Sequence, residues 1–251
     1  MTFSKPRQRT SSGDCWPVRA AAVLTALLGV GCTGITPPGN NGELNNGVFS
    51  YSCDSDSDPA CDTETGMVEA MPSKIAVGGR FTLKYAPSPF GDDTGGSAIV
   101  EPASKALLTQ TETFGSSFKA LKPGLCAVLA RRGDVVTDFI HMRLETIDHL
   151  QIDSTSDTAG EQEGVESIEL STGEVLALRA FPVDEADELL SGALSASWTS
   201  SDDLVVAFDS LESDNVVTLQ AMGAGTATLQ VTVEDMSKEI SVTVAGEEQP
   251  L

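Results

Sequence analysis

The residues whose spacing most suggests chemistry are the aspartates of Asp54-Ser55-Asp56-Ser57-Asp58-Pro59-Ala60-Cys61-Asp62. Hard carboxylate oxygens at alternate positions can converge on one calcium ion, so Asp54, Asp56, Asp58 and Asp62 are candidate ligands. The loop departs from that pattern where Pro59 replaces a turn glycine and Thr65 stands in place of a bidentate glutamate. A solvated acidic turn is the competing reading. Other chemistry is sparse. His141 and His149 are the two histidines, which leaves little for general-base or metal work. No Gly-x-Ser-x-Gly, glycine-rich phosphate loop or His-x-x-x-His occurs, so no catalytic residue is assigned and the chain reads as a non-enzyme. Arg132-Gly133-Asp134 is an integrin-type tripeptide, but glycine and aspartate are also what a hairpin turn needs.

Composition narrows the partners. The 251 residues carry 15 Lys plus Arg against 37 Asp plus Glu, a formal charge of −22. That argues against nucleic acid, whose phosphates need basic clusters. A 40% hydrophobic content suffices for one or two cores. The charge is uneven: +3 over residues 1–31, −6 over 32–67, +1 over 68–147 and −20 over 148–251. Such asymmetry marks units with different surfaces.

Residues 1–19 are basic and polar, and residues 20–31 form an uncharged run of twelve. A membrane span needs about 20 apolar residues, so this is the pattern of a secretory signal peptide. The run ends at Leu27-Leu28-Gly29-Val30-Gly31-Cys32, which resembles the lipobox of bacterial lipoproteins. In that family the cysteine is diacylated and becomes the first mature residue, which would make Cys32 the lipidation site and a lipid-anchored membrane the first partner. Gly29 departs from the usual large aliphatic residue, with Leu28 one place further back. Ordinary cleavage near Gly31, with Cys32 a simple thiol, is the alternative. Thr33 rather than Asp follows the cysteine, so the resemblance implies an outer-membrane anchor in the cell envelope, facing the periplasm or the exterior. Residues 32–47 are rich in Gly, Pro and Asn after the cysteine and are predicted to be a flexible tether.

Export implies an oxidising compartment. Cys53 and Cys61 flank the acidic loop and are the preferred local disulfide. Cys126 is then left over, either as a buried free thiol in Leu125-Cys126-Ala127-Val128-Leu129 or bridged to the N-terminal segment. No Cys-x-x-Cys spacing suggests zinc.

Beyond residue 66 short alternating strands are separated by Gly, Pro, Asp and Ser clusters, the all-β pattern. An internal repeat lies among them. Phe118–Val128 aligns with Leu219–Leu229 at an offset of 101 residues. Gly79-Arg80-Phe81-Thr82-Leu83 corresponds upstream to Gly173-Glu174-Val175-Leu176-Ala177, and Phe139–Leu144 downstream to Ile240–Val244. Two copies of a sandwich domain follow from a repeat of this length. The motifs Gly173-Glu174, Trp198-Thr199-Ser200-Ser201-Asp202, Val205-Val206-Ala207-Phe208-Asp209 and Ala224-Gly225-Thr226-Ala227-Thr228-Leu229 resemble the bacterial immunoglobulin-like (group 2) domain of invasin- and intimin-type surface proteins. The resemblance covers residues 147–246; residues 68–146 look like a diverged copy. Val175, Trp198, Phe208, Leu229 and Val242 are predicted to fill the layer between two sheets, and Gly225 to permit a close backbone approach.

The expected organisation is a signal peptide (1–31), a lipidated tether (32–47), a short strand with the Cys53–Cys61 loop (48–67), two tandem immunoglobulin-like β-sandwiches (68–146 and 147–246) and a tail (247–251). The expected function is a non-catalytic cell-surface lipoprotein that presents these modules for adhesion or for protein or glycan binding. A structural envelope spacer and a calcium-dependent binder are the alternatives.

Overall fold

The computed structural model describes residues 39–53, 55, 57–61, 68, 70–88, 97–111, 116–156, 160–211 and 216–246. Within them the chain is all-β. The strands are β1 (Gly39–Asn41), β2 (Gly47–Ser52), β3 (Lys74–Ala76), β4 (Arg80–Pro87), β5 (Ile99–Pro102), β6 (Leu108–Gln110), β7 (Ser117–Ala120), β8 (Gly124–Arg132) and β9 (Val135–Glu145). They continue as β10 (His149–Ser156), β11 (Gly160–Gln162), β12 (Ser167–Ser171), β13 (Val175–Val183), β14 (Ala196–Ser200), β15 (Val206–Leu211), β16 (Val216–Ala221), β17 (Gly225–Val233) and β18 (Met236–Ala245). Four sheets result, ordered β1-β2-β4-β7-β6 and β3-β9-β8-β5, then β11-β10-β13-β16-β15 and β12-β18-β17-β14. Each pair of sheets encloses its own apolar cluster, so the chain forms two β-sandwiches of immunoglobulin-like type.

The two sandwiches share one plan. β12 runs parallel to β18 as β3 does to β9, and β13–β16 pairs as β4–β7 does. The alternation that writes these strands is plain in β17, where Ala227, Leu229, Val231 and Val233 point inward while Thr226, Thr228 and Gln230 face out. Trp198, Leu229 and Val242 are buried as expected, and Phe208 packs partly buried against the same cluster. A Cβ on Gly225 would lie 2.8 Å from Val205 Cγ2, the close approach its position predicted.

Three expectations need correction. Val175 is 47% exposed, and Leu176 takes the inward place. Phe81 pairs Phe118 and Leu176 pairs Leu219, so the true offset here is 95 rather than 94, and one residue of slip inverts every side chain on a strand. The downstream match also slips. A bulge between Ala130 and Arg131 on the partner strand leaves Thr137 as an extra residue in β9, which aligns Ile140, Met142 and Leu144 with Ile240, Val242 and Val244. Third, the first sandwich begins well before residue 68. β2 occupies the place that β10 holds in the repeat, and β1 pairs it. Residues 39–47, expected within the tether, are therefore part of the sandwich. The bulge turns the Asp138 carboxylate onto the Gly42–Asn46 turn, where it accepts the amides of Leu44 and Asn46 at 2.9 Å each. Residues 39–147 thus carry −5.

Candidate functional site

The sequence-predicted site residues divide sharply. Cys32, Asp54, Asp56 and Asp62 lie outside the described residues. Cys53 and Cys61 are joined in a disulfide, with Cα atoms 6.1 Å apart. Asp58, a candidate calcium ligand or else part of a solvated acidic turn, is instead fully buried. Its Oδ2 accepts the Tyr51 hydroxyl at 2.5 Å, and its Oδ1 accepts the amides of Ala60 at 3.0 Å and Gly192 at 2.9 Å. A carboxylate engaged in this way serves the fold, because a buried acceptor must be paired inside the protein. Among the described residues Cys53, Asp58 and Cys61 are the one group whose ligand atoms lie close enough for a metal, and the disulfide has consumed both sulfurs. Cys126 is buried and free, with its Sγ directed at the Ser104 carbonyl at 3.9 Å.

Asp58 leads to the feature that sequence reasoning missed. Gly192 belongs to the second sandwich, in the connection from β13 to β14, so the bond to Asp58 spans both halves of the chain. Around it the main chains of the two sandwiches are stitched together. The Ala76 amide donates to the Ser191 carbonyl at 2.9 Å, and the Ser191 amide donates to the Lys74 carbonyl at 3.1 Å. Arg80 and Ala193 exchange bonds of 3.0 and 2.7 Å. Gly192 has φ +103, and a Cβ there would sit 3.1 Å from the Gly79 Cα. Two backbones meet at that point with no side chain between them, which glycine alone permits.

Charge reinforces the seam. Lys74 Nζ lies 2.5 Å from both Asp184 Oδ2 and Glu188 Oε2. The Asp184 carboxyl is held down to about 2, first by the Lys74 ammonium and then by the amides of Glu188 and Ala186, against an opposing effect of burial. Lys74 is raised by its bonds to the same two carboxylates. At the next turn Glu234, a non-glycine residue at φ 49, reaches Lys119 at 3.8 Å. Three acidic groups of the second sandwich therefore meet cations of the first. A cavity of about 120 Å³ lies beside Arg80, Lys119, Ala193 and Glu234, well short of the roughly 300 Å³ that small-molecule sites begin at.

The remaining candidates are surface features. His141 pairs with Glu43, and His149 sits 3.1 Å from Asp148 and 3.4 Å from Asp187. Gly133 and Asp134 form the two-residue turn between β8 and β9, held by Arg131 Nη2 donating to the Asp134 carbonyl at 2.9 Å. Trp198 is core rather than a binding platform. No helix among the described residues is long and apolar enough to cross a membrane.

The class of protein follows from this: an all-β chain of two immunoglobulin-like sandwiches joined by an interlocked seam. No protein-family model matches it, and no curated protein does. Solved structures with some likeness include domains 4 and 5 of the S-layer protein SbsC, at 14% identity and a TM-score of 0.32, covering 63% of this chain and 82% of that one. The chain covers 27% of a longer SbsC structure. The Yersinia pseudotuberculosis adhesin InvE matches at 13% identity and a TM-score of 0.29, over 69% of this chain and 56% of that one. A family 2 β-glucuronidase matches at 11% and 0.33, over 70% and 19%. At such TM-scores the likenesses bear on neither fold nor function.

Proposed function

We propose that the protein is a non-catalytic module of the cell envelope, anchored through Cys32, that presents its acidic second sandwich at a fixed distance and orientation for adhesion or for protein or glycan binding. The observation that carries this reading is the seam. Main-chain hydrogen bonds, the buried Asp58 carboxylate and the Lys74–Asp184–Glu188 cluster make the two sandwiches one body, and a presenting module needs reach without a hinge. The lipobox-like segment before Cys32 supports the anchor. The contrast between −5 over residues 39–147 and −20 over residues 148–251 supports an outward second sandwich, since anionic lipid repels it.

Metabolic palmitate labelling with membrane fractionation tests the reading, comparing the native chain with Cys32→Ser. The expected result is label and membrane partition in the native chain and neither in the variant. A variant that still fractionates with membranes, together with a native chain that takes no label, overturns the anchor. Protease added to intact anchored cells or vesicles should then reach the second sandwich.

A further inference from the structure

The seam has a covalent neighbour. Cys53 follows directly on β2, Cys61 bridges to Val68, and the disulfide between them closes the loop that carries Asp58. Asp58 reaches the second sandwich through the Gly192 amide at 2.9 Å. One oxygen of its carboxylate lies within 4.8 Å of both sulfurs. Gly192 stands between Ser191 and Ala193, whose main-chain bonds to Lys74, Ala76 and Arg80 make up the stitched backbone. The acceptor that Asp58 supplies is thus at the centre of the joint.

Between the cysteines stand Asp54-Ser55-Asp56-Ser57-Asp58-Pro59-Ala60, with no large apolar side chain to anchor the loop. The Asp58 amide donates to the Ser55 carbonyl at 3.2 Å and the Cys61 amide to the Asp58 carbonyl at 3.0 Å. These bonds shape the turn without joining it to a sheet. Against them stands the cost of keeping a carboxylate dry, because Asp58 is fully buried and a buried charge returns to water unless it is held. Its hydrogen bonds offset part of that cost, and the disulfide adds to them by denying the open loop its conformational freedom. Reduction removes the constraint and leaves two thiols beside the carboxylate, where any thiolate that forms is repelled by like charge.

The second sandwich shows that the plan itself needs no such bond. β10 takes the place of β2 there, yet residues 147–246 contain no cysteine. The disulfide occurs in the copy whose loop crosses the seam.

We infer that the Cys53–Cys61 disulfide is a redox latch on the seam: opened by a dithiol reductant, it frees Asp58 from Gly192 and loosens the joint while each sandwich keeps its fold. Cys53 is half-buried and Cys61 is 5% exposed, so a thiolate of the reductant attacks Cys53 Sγ and Cys61 leaves as a thiolate. The second thiol of the reductant, as its thiolate, then displaces Cys53 from the mixed disulfide. Two electrons pass to the protein, its two thiolates take up the protons that the reductant's thiols gave up, and the reductant ends as a disulfide. Without its acceptor the Gly192 amide is left unpaired at the centre of the stitch. The inference rests on the seam as the rigid joint of the proposed function, and not on lipid at Cys32.

Native-state amide hydrogen exchange, read by NMR on the full chain carrying Cys32→Ser, tests it in the oxidised form and after reduction with dithiothreitol. In the oxidised chain the amides of Ala76, Arg80, Ser191, Gly192 and Ala193 should be protected. Reduction should speed their exchange on the order of 10–100-fold, the factor that closing a loop of this length is worth. Protected amides inside β8 and β17 should keep their rates. A Cys53→Ala/Cys61→Ala chain should show the fast seam without reductant and no response to it. Seam amides that exchange equally in both redox states overturn the inference, as does a double variant whose seam stays slow. So does reduction that releases β8 together with the seam, since the disulfide then holds the first sandwich rather than the joint. Seam amides already unprotected in the oxidised chain would overturn the rigid joint first, and the latch with it.

Discussion

Asp58→Ala is the most informative single change, because it removes one acceptor on which both sandwiches depend. The Gly192 amide and the Tyr51 hydroxyl, both buried, lose the oxygens they reach at 2.9 and 2.5 Å. A buried donor deprived of its acceptor costs about 1–3 kcal/mol, so the pair costs about 2–6 kcal/mol. A unit of this size loses about 2–4 °C of melting temperature per kcal/mol, which puts the fall near 10 °C. Asp58→Asn keeps a carbonyl oxygen able to accept from Gly192 and Ala60, so it should recover most of the loss. Differential scanning calorimetry reads both effects, and Asp58→Ala should also broaden or split the transition as the sandwiches uncouple. A fall of under about 2 °C for Asp58→Ala would refute the reasoning. An Asp58→Asn variant as damaged as Asp58→Ala would show that charge, rather than the acceptor, matters.

Further outcomes follow from the same geometry. The Asp184 carboxyl is depressed to about 2, so its contribution to stability is full above its unfolded value near 4 and is lost as pH falls from about 4 towards 2. Lys74→Met should flatten that part of the melting profile, and superimposable profiles for the two proteins would contradict the assignment. Leu176→Ala should destabilise by about 2–5 kcal/mol as a core truncation, while Val175→Ala next to it should stay within about 0.5 kcal/mol; urea titration distinguishes them. Gly192→Ala forces a Cβ to 3.1 Å from the Gly79 Cα at φ +103, so it should lower the melting temperature more than any surface Ala substitution in the same sandwich.

The sequence made the repeat legible where connections have equal length. β7, β8 and their turn recur at 101 residues because neither copy inserts anything between them. Legibility failed by one residue at β4 and at the bulge near the start of β9, since a period of two carries no memory of a slip and a bulge is silent in composition. The segment 39–47 looks like a tether because Gly and Asn dominate it; what orders it is Asp138, more than 90 residues away. The seam was invisible for a related reason. Asp58, Gly192 and Asp184 are ordinary loop residues and Lys74 an ordinary strand residue on their own, and their meaning lies in pairings over 110 and 134 positions. Asp58 in particular reads as one more acid in an alternating run. Only its burial reveals that it is a structural acceptor.

If the seam is a rigid joint, the two sandwiches tumble and align as one body. Residual dipolar couplings measured across the full chain carrying Cys32→Ser test it most directly, because each rigid body in a weakly aligned sample reports its own alignment tensor. Couplings from residues 39–146 and from residues 147–246 should fit a single tensor of common orientation and magnitude. Two sandwiches that require separate tensors of different magnitude would show independent motion, and would contradict the seam as a rigid joint.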